Sequence, residues 1–337
     1  MSDHLGFGAG TCGSCGEPLL VDDRFCEACG APVPMPVEQV PQVPPGAAGY
    51  GAASPGGPGG PGGPGAPGAA DPRDHAELAD GPVAAVTDRG RAHWRNEDAV
   101  GIRWVHGDPE GFALVVSDGV SVSQEPQVVS QVAVETALLV LSGAVSAGGD
   151  LDLAMLEAIA AAQRATSALP YDPALDVGPG ACTIVAAAVR GRYATFGSVG
   201  DSRAYWVDDH QVVQIGRDDS LAAEMVASGR LTNSQAMARP GAHALTKWLG
   251  VDSTDAVPTV TSVELPGPGL VLLASDGLWN YAPDPDDLGR LVGRPGAETA
   301  LDLARRLVAY AVDAGGADNV TVAVGPHLLG RQEVPRA

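Results

Sequence analysis

Four aspartates in this 337-residue chain sit where an apolar run ends or a loop begins. They are Asp98 in RNEDAV, Asp118 in LVVSDGV, Asp276 in VLLASDGLWN and Asp318 in GGADNVTVAV. A strand holds its terminal residue rigidly, so carboxylates from several strand ends can converge on one point. Each alone has a bland explanation, because Asp-Gly is a common turn and Asp-Asn before a strand a common loop ending. Two Ser-Asp-Gly turns, each closing a strongly apolar run, are harder to dismiss. A carboxylate cluster without His or thiolate partners is a hard-oxygen site, suited to Mg²⁺ or Mn²⁺ rather than zinc. Two such ions can share a bridging water, lower its pKa and stabilise charge on a phosphoryl group under in-line attack. No nucleophilic side chain is then required, and the sequence offers no Ser, Cys and His constellation. Cys182, in GACTIVAAAV, reads as a small core residue, and the Arg that a cysteine-based phosphatase needs five positions later is Ala187.

A second set of ligand-spaced residues lies in TCGSCGEPLLVDDRFCEACGAPV. Cys12 and Cys15 form one C-x2-C pair, and Cys26 and Cys29 form another after ten intervening residues, each followed by glycine (Gly16, Gly30). Four thiolates at this spacing can close a tetrahedral shell around one zinc ion; the alternative is two unrelated pairs of reduced cysteines. The segment resembles the small zinc-ribbon modules at the ends of many bacterial proteins. A ribbon this short has almost no core, so metal would supply most of its folding free energy. Asp3, Glu17, Asp22, Asp23 and Glu27 make it acidic, which favours a structural or protein-contact role over nucleic-acid binding.

These groups need elements to hold them. Apolar runs predict strands over 83–87, 112–117, 183–189, 193–199, 204–207, 270–275 and 320–324. Helical periodicity predicts helices over 124–141, 153–168, 221–228, 233–237 and 298–313. Strands come in consecutive pairs and helices in adjacent blocks, which favours an α+β fold with antiparallel sheets over a doubly wound parallel sheet. The expected organisation is a zinc ribbon at 1–30, a disordered linker at 31–80, one large domain at 81–327 and a tail at 328–337. The linker contains PGGPGGPGGPGAPG, and the chain as a whole has 45 Gly and 28 Pro. The apolar stretch 128–145 is interrupted by Ser130, Gln131, Glu135 and Ser142 and reads as a core-facing helix, not a membrane span. With 41 acidic against 20 basic residues and a formal charge of −21, neither nucleic acid nor anionic membrane is an expected partner. The start, MSDHLGFGAG, lacks the pattern of a signal peptide. A cytoplasmic protein is expected, where paired thiols point to metal rather than disulfides.

The order of motifs DRG…RNEDA, SDGV, GACTIVAA…SVGDSRAYWV, GRDDSLAAEMVASGRLT, ALTKWLG, LLASDGLW and GADNVTVAV resembles the type 2C metal-dependent serine/threonine phosphatases. The resemblance runs from Val83 to Val324. It implies a four-layer α-β-β-α sandwich of two antiparallel sheets flanked by helices, with a two-metal Mn²⁺ or Mg²⁺ centre at one end. It implies hydrolysis of phosphoserine and phosphothreonine in proteins by a metal-bound hydroxide, opposing a serine/threonine kinase. Carried over by position, Asp118 would bridge both metals and the Gly119 carbonyl would bind one, while Asp276 and Asp318 would hold the second. Glu97 and Asp98 would complete the site, partly through ordered waters. Asp201 would join Asp276 at a third, weaker metal site, Asn319 would orient Asp318, and residues 218–231 would form a flap beside the centre.

Several positions depart from the pattern. Where the family places an Arg that clamps the substrate phosphate, this chain has His93, with Arg91 and Arg95 on either side. Arg is a permanent bidentate cation and His a conditional one, so either a neighbouring Arg takes over or phosphate binding weakens. Val120, Ser121, Val122 and Ser123 replace a Gly-rich run, no His follows Gly119 to act as general acid, and Asp219 replaces a His in the flap. These changes motivate a rival reading, a pseudophosphatase used as a regulatory binding module. A third reading makes the ribbon the functional part and the large domain its support. Retention of every expected carboxylate argues against a dead site, which has no reason to gather so much negative charge.

Overall fold

The computed structural model describes residues 74–327, apart from Ala238. The expected ribbon with Cys12, Cys15, Cys26 and Cys29, residues 31–73 of the expected linker and the tail at 328–337 lie outside the described residues. Thirteen strands are described: β1 His75–Asp80, β2 Val83–Asp88, β3 Ala99–Val105, β4 Gly111–Ser117, β5 Ala181–Cys182, β6 Ile184–Arg190, β7 Tyr193–Val199, β8 Arg203–Val207, β9 Val212–Ile215, β10 Leu249–Gly250, β11 Thr259–Glu264, β12 Gly269–Ala274 and β13 Val320–His327. The seven helices are α1 Pro126–Ala147, α2 Leu151–Ser167, α3 Leu221–Ala227, α4 Asn233–Met237, α5 Asp276–Trp279, α6 Pro285–Val292 and α7 Ala300–Ala314.

The strands form a six-stranded sheet in the order β1-β2-β13-β12-β8-β9, a five-stranded sheet β11-β7-β6-β4-β3 and the short pair β10-β5. All pairings between the named strands are antiparallel. Strand alternation sorts the core into three layers of side chains. Phe112, Leu114 and Val116 of β4 meet Val271 and Leu273 of β12 between the sheets. Ala113 and Val115 face α1 and α2 through Ala133, Val134, Met155 and Ile159. Leu272 and Val322 face α7 through Leu303 and Leu307. This is the expected four-layer sandwich. Helix α1, 22 residues long with a mean hydropathy of 1.8, is long and apolar enough to span a membrane, yet its Val129, Ala133, Ala137 and Leu141 are buried in this core.

One expectation is corrected, and one strand was not foreseen. The linker does not extend to residue 80: β1 pairs with β2 from His75↔Asp88 to Asp80↔Val83, and the chain divides between Ala70 and Asp71. HAELAD reads as linker because an edge strand buries little and tolerates polar residues on both faces. β3, AVGIRWV, is masked by Gly101, whose place is set by packing: a Cβ there would lie 2.8 Å from Val134 and 2.9 Å from Leu138 of α1.

Candidate metal centre

Each site aspartate stands at the end of a strand or just beyond it. Asp118 follows β4, Asp276 follows β12 and opens α5, Asp318 precedes β13, Asp98 precedes β3, and Asp201 lies in the turn between β7 and β8. The ends of these strands meet at one end of the sandwich. Asp118, Gly119, Asp201, Asp276 and Asp318 line a single cleft of about 440 Å³. Both Ser-Asp-Gly glycines are fixed by close approach. A Cβ on Gly119 would sit 2.7 Å from the Glu97 carbonyl oxygen, and one on Gly277 would collide with the Asn319 carbonyl.

The environment of these carboxylates opposes their ionisation. Burial pushes Asp98 up to about 7, against the hydrogen bonds it accepts from Thr321 and Ser275. Asp118 is held well above the ordinary carboxylate range by burial, then by repulsion from Asp98, Asp276, Asp318 and Asp201. Burial and the charge of Asp276 do the same to Asp201 and Asp318. Asp276 is raised by burial, with His243 and His93 opposing. Two oxygens, Asp98 Oδ1 and Asp276 Oδ1, are buried with no hydrogen-bond partner. An anionic cluster with orphaned oxygens and no thiolate or imidazole among its carriers suits hard divalent cations. Among the described residues, no group of three or more His, Cys, Asp or Glu side chains is already drawn around one point.

Buried hydroxyls hold Asp98. Its Oδ2 accepts from Ser275 Oγ at 2.8 Å and Thr321 Oγ1 at 2.6 Å; Thr321 meets Thr87 at 2.7 Å, and Asn96 Nδ2 donates to Thr87 at 2.8 Å. Sequence reasoning missed these residues. Their signal was a polar residue at a core-facing position of an apolar strand, as Thr87 in VAAVTD and Thr321 in VTVAV.

The expected supporting roles are partly revised. Both oxygens of buried Glu97 are engaged, Oε1 by Arg95 Nε at 3.1 Å and Oε2 by Ser121 Oγ at 2.5 Å, so it braces the site from behind. Asn319 does not orient Asp318 with its side chain; its backbone N–H donates to Asp318 Oδ1 at 2.7 Å. The Asn319 side chain instead ties the 89–97 segment to β13, accepting from Glu97 N at 2.7 Å and donating to the carbonyls of Arg89 at 2.8 Å and Arg95 at 3.1 Å. Among the phosphate-binding candidates, Arg91 is bound to Asp313 at 2.8 Å. His93 Nε2 lies 3.2 Å from Asp318 Oδ1, and Arg95 lies over the exposed Trp94 ring at 4.5 Å. Cys182 is buried with its thiol pushed up to about 12 by burial, as befits a core residue.

In the flap, Asp219 accepts from Gly200 N at 3.1 Å and anchors the segment. Arg203 pairs with Asp218 at 2.7 Å and lies 3.6 Å over the Trp279 ring. His243, unnoticed in the sequence, stacks on Trp279 and reaches the cleft wall.

The protein phosphatase 2C family profile matches residues 89–302, and a zinc-ribbon domain profile matches residues 11–33. The serine/threonine protein phosphatase PstP of Mycobacterium tuberculosis is 32% identical over 243 residues, 72% of this chain. The aligned region spans 44% of that relative's length. A crystal structure of PstP from the same organism superposes with a TM-score of 0.62 at 29% identity, covering 73% of this chain and 97% of that one. The PstP catalytic domain in complex with two manganese ions superposes with a TM-score of 0.58 at 30% identity, covering 72% and 96%. With the carboxylates at the strand ends where the motif order places them, this chain belongs to the protein phosphatase 2C family.

Proposed function

We propose that this protein is a metal-dependent serine/threonine phosphatase that hydrolyses phosphoserine and phosphothreonine in proteins, using two manganese or magnesium ions. The observation that carries this reading is the pair of buried, unpartnered oxygens of Asp98 and Asp276 within a cluster whose ionisation burial and mutual repulsion oppose. Bound cations would activate water for in-line attack and offset charge on the phosphoryl oxygens. Asp118, the Gly119 carbonyl, Asp276 and Asp318 would hold them, with Asp98 completing the set, Glu97 bracing it and Asp201 available to a third ion.

The chain's own residues do the remaining work. Arg95 and His93, which pair with Glu97 and Asp318 of the site, would be the donors for the substrate's phosphoryl oxygens, whereas Arg91 pairs with the exposed Asp313. Ser275 and Thr321 keep one Asp98 oxygen occupied so that the other points free. The substrates would be products of a serine/threonine kinase. One structural zinc at Cys12, Cys15, Cys26 and Cys29 and a cytoplasmic setting, where those thiols stay reduced, belong to the same proposal.

A second reading, a catalytically weak regulatory binding module, draws on His93 standing where the family has an arginine. One assay decides: phosphate release from a phosphothreonine peptide with Mn²⁺, Mg²⁺ or EDTA, beside Asp118→Asn. Metal-dependent release that the variant loses is expected. A parent without metal-dependent release refutes the enzyme, and release surviving Asp118→Asn refutes the metal centre.

A further inference from the structure

The cleft beside the carboxylates has more room, and a different lining, than a phosphorylated side chain requires. Its volume of about 440 Å³ is that of about fifteen liquid waters. Beyond the aspartates its apolar lining comes from Val120, Val122, Pro179, Leu245 and Trp248, with Ser121 and His243 among the polar residues beside them. Val122 is 78% exposed, a bare aliphatic side chain on the loop that replaces the family's glycine run. That loop is tied down on both sides of Val122. Val120 N donates to Ala181 O at 2.9 Å, Ser121 Oγ to Glu97, and Ala181 N to Ser123 Oγ at 3.0 Å. Trp248 is fixed by its Nε1 donating to Asp252 Oδ1 at 2.9 Å. Past Pro179, which both share, a second hollow of about 110 Å³ is lined by Val128, Leu169, Tyr171 and Val251. Scattered exposed apolar residues need no explanation, but apolar residues gathered along one wall of a cleft that also holds the carboxylates mark a binding surface.

We infer that this lining is a substrate-specificity subsite, and that it takes a large aliphatic or aromatic side chain flanking the phosphorylated residue of a protein substrate. The inference rests on the phosphatase reading and deepens it. Adjacency decides the occupant: an apolar group seated between Val122 and Trp248 has its neighbouring atoms at the aspartates, so the segment that brings it also brings the phosphoryl group. Asp252 accepts from Trp248 Nε1, which holds the indole face in place for apolar contact. Fixed walls on a tied loop favour discrimination, because little ordering is left to be done on binding.

The test is a set of phosphothreonine peptides in which Leu, Ala, Lys or Asp is scanned through the three positions on each side of the phosphothreonine. Phosphate release with Mn²⁺ gives kcat/KM for each, and anisotropy of the labelled peptides gives binding in parallel. We expect Leu to exceed Asp by about tenfold at one or two positions on one side, a difference that burial of one side chain supports. Val122→Ser and Trp248→Ala should each cut that ratio to threefold or less, through KM more than kcat. Equal rates for Leu and Asp, a preference for Lys, or a Leu preference that survives both substitutions would each overturn the subsite. Tighter binding of Leu peptides with no phosphate release would keep the subsite and refute the catalytic reading instead.

Discussion

Replacing Asn319 offers the sharpest probe of how the carboxylate cluster is assembled. Its side chain is 2% exposed and makes three hydrogen bonds, one from Glu97 N and two to the carbonyls of Arg89 and Arg95. At about 0.5–1.5 kcal/mol net for each, Asn319→Ala should cost about 2–4 kcal/mol. For a domain of this size that is a loss of about 5–15 °C in Tm. Asn319→Asp preserves shape and the acceptor for Glu97 N but turns an oxygen toward two carbonyls beside Asp318. It should therefore be less stable than the alanine variant at pH 7.5. A buried carboxyl introduced there has a raised folded-state pKa, so its penalty should shrink as the pH falls toward 5. Urea denaturation of both variants at the two pH values, with Mn²⁺ titration calorimetry, reads these effects. Mn²⁺ affinity should fall in both, because the side-chain amide that ties the Arg89 and Arg95 carbonyls to β13 is gone. An aspartate variant as stable as the alanine one at pH 7.5, or an alanine cost under about 1 kcal/mol, would refute the reasoning.

In EDTA, stability should fall as pH rises from 5 to 8. The Asp98 carboxyl is raised from 3.8 to about 7, and its neighbours are raised with it. The native state therefore holds extra protons between those values, and this stability is full below the unfolded pKa and lost as pH climbs through the folded one. Saturating Mn²⁺ should reverse the slope, since bound ligands must be deprotonated; a urea midpoint that rises with pH in EDTA contradicts the assignment. Arg95→Ala should raise KM for a phosphopeptide at least tenfold, while Arg91→Ala, whose guanidinium is bound to Asp313, should change it less than twofold; equal effects would return Arg91 to the site. Arg203→Ala, which leaves nearly buried Asp218 with Gln214 as its remaining side-chain donor, should cost about 2–4 kcal/mol in denaturant melts, and a cost under about 1 would show the pair to be solvent-screened. The purified chain should carry one zinc by atomic absorption, lost in a Cys12→Ser, Cys15→Ser variant whose peptide turnover is unchanged; zinc retained by that variant would remove the ribbon assignment.

How much of this was legible depended on whether a residue's role was local or distant. Asp118 and Asp276 stand out because each ends a run of apolar residues buried on both faces, and such runs are recognisable without knowing their partners. Asp98 was legible only through its motif, since β3 after it carries Gly101 for the sake of α1. Ser275, Thr321 and Thr87 were invisible as a group because nothing in the chain announces that residues 234 positions apart share a hydrogen bond. The role of Asn319 was misassigned for the same reason: adjacency to Asp318 pointed to the wrong partner, and its true partners lie 222 or more positions away. Edge strands β1 and β11 escaped notice because their sequences answer to solvent on one side.

The central place of β13 has a consequence for how the molecule comes into being. It pairs with β12 on one side and with β2 on the other, joining Val320 to Asp88 and Val324 to Ala84. During synthesis, the six-stranded sheet must wait for it with two interior edges open, β2 near the start of the domain and β12 late in it. Closing a sheet across so many residues is slow, and open interior edges invite pairing with other chains. Asp318 arrives with that same strand. A nascent or truncated chain therefore lacks Asp318 beside the other carboxylates until the sheet is sealed.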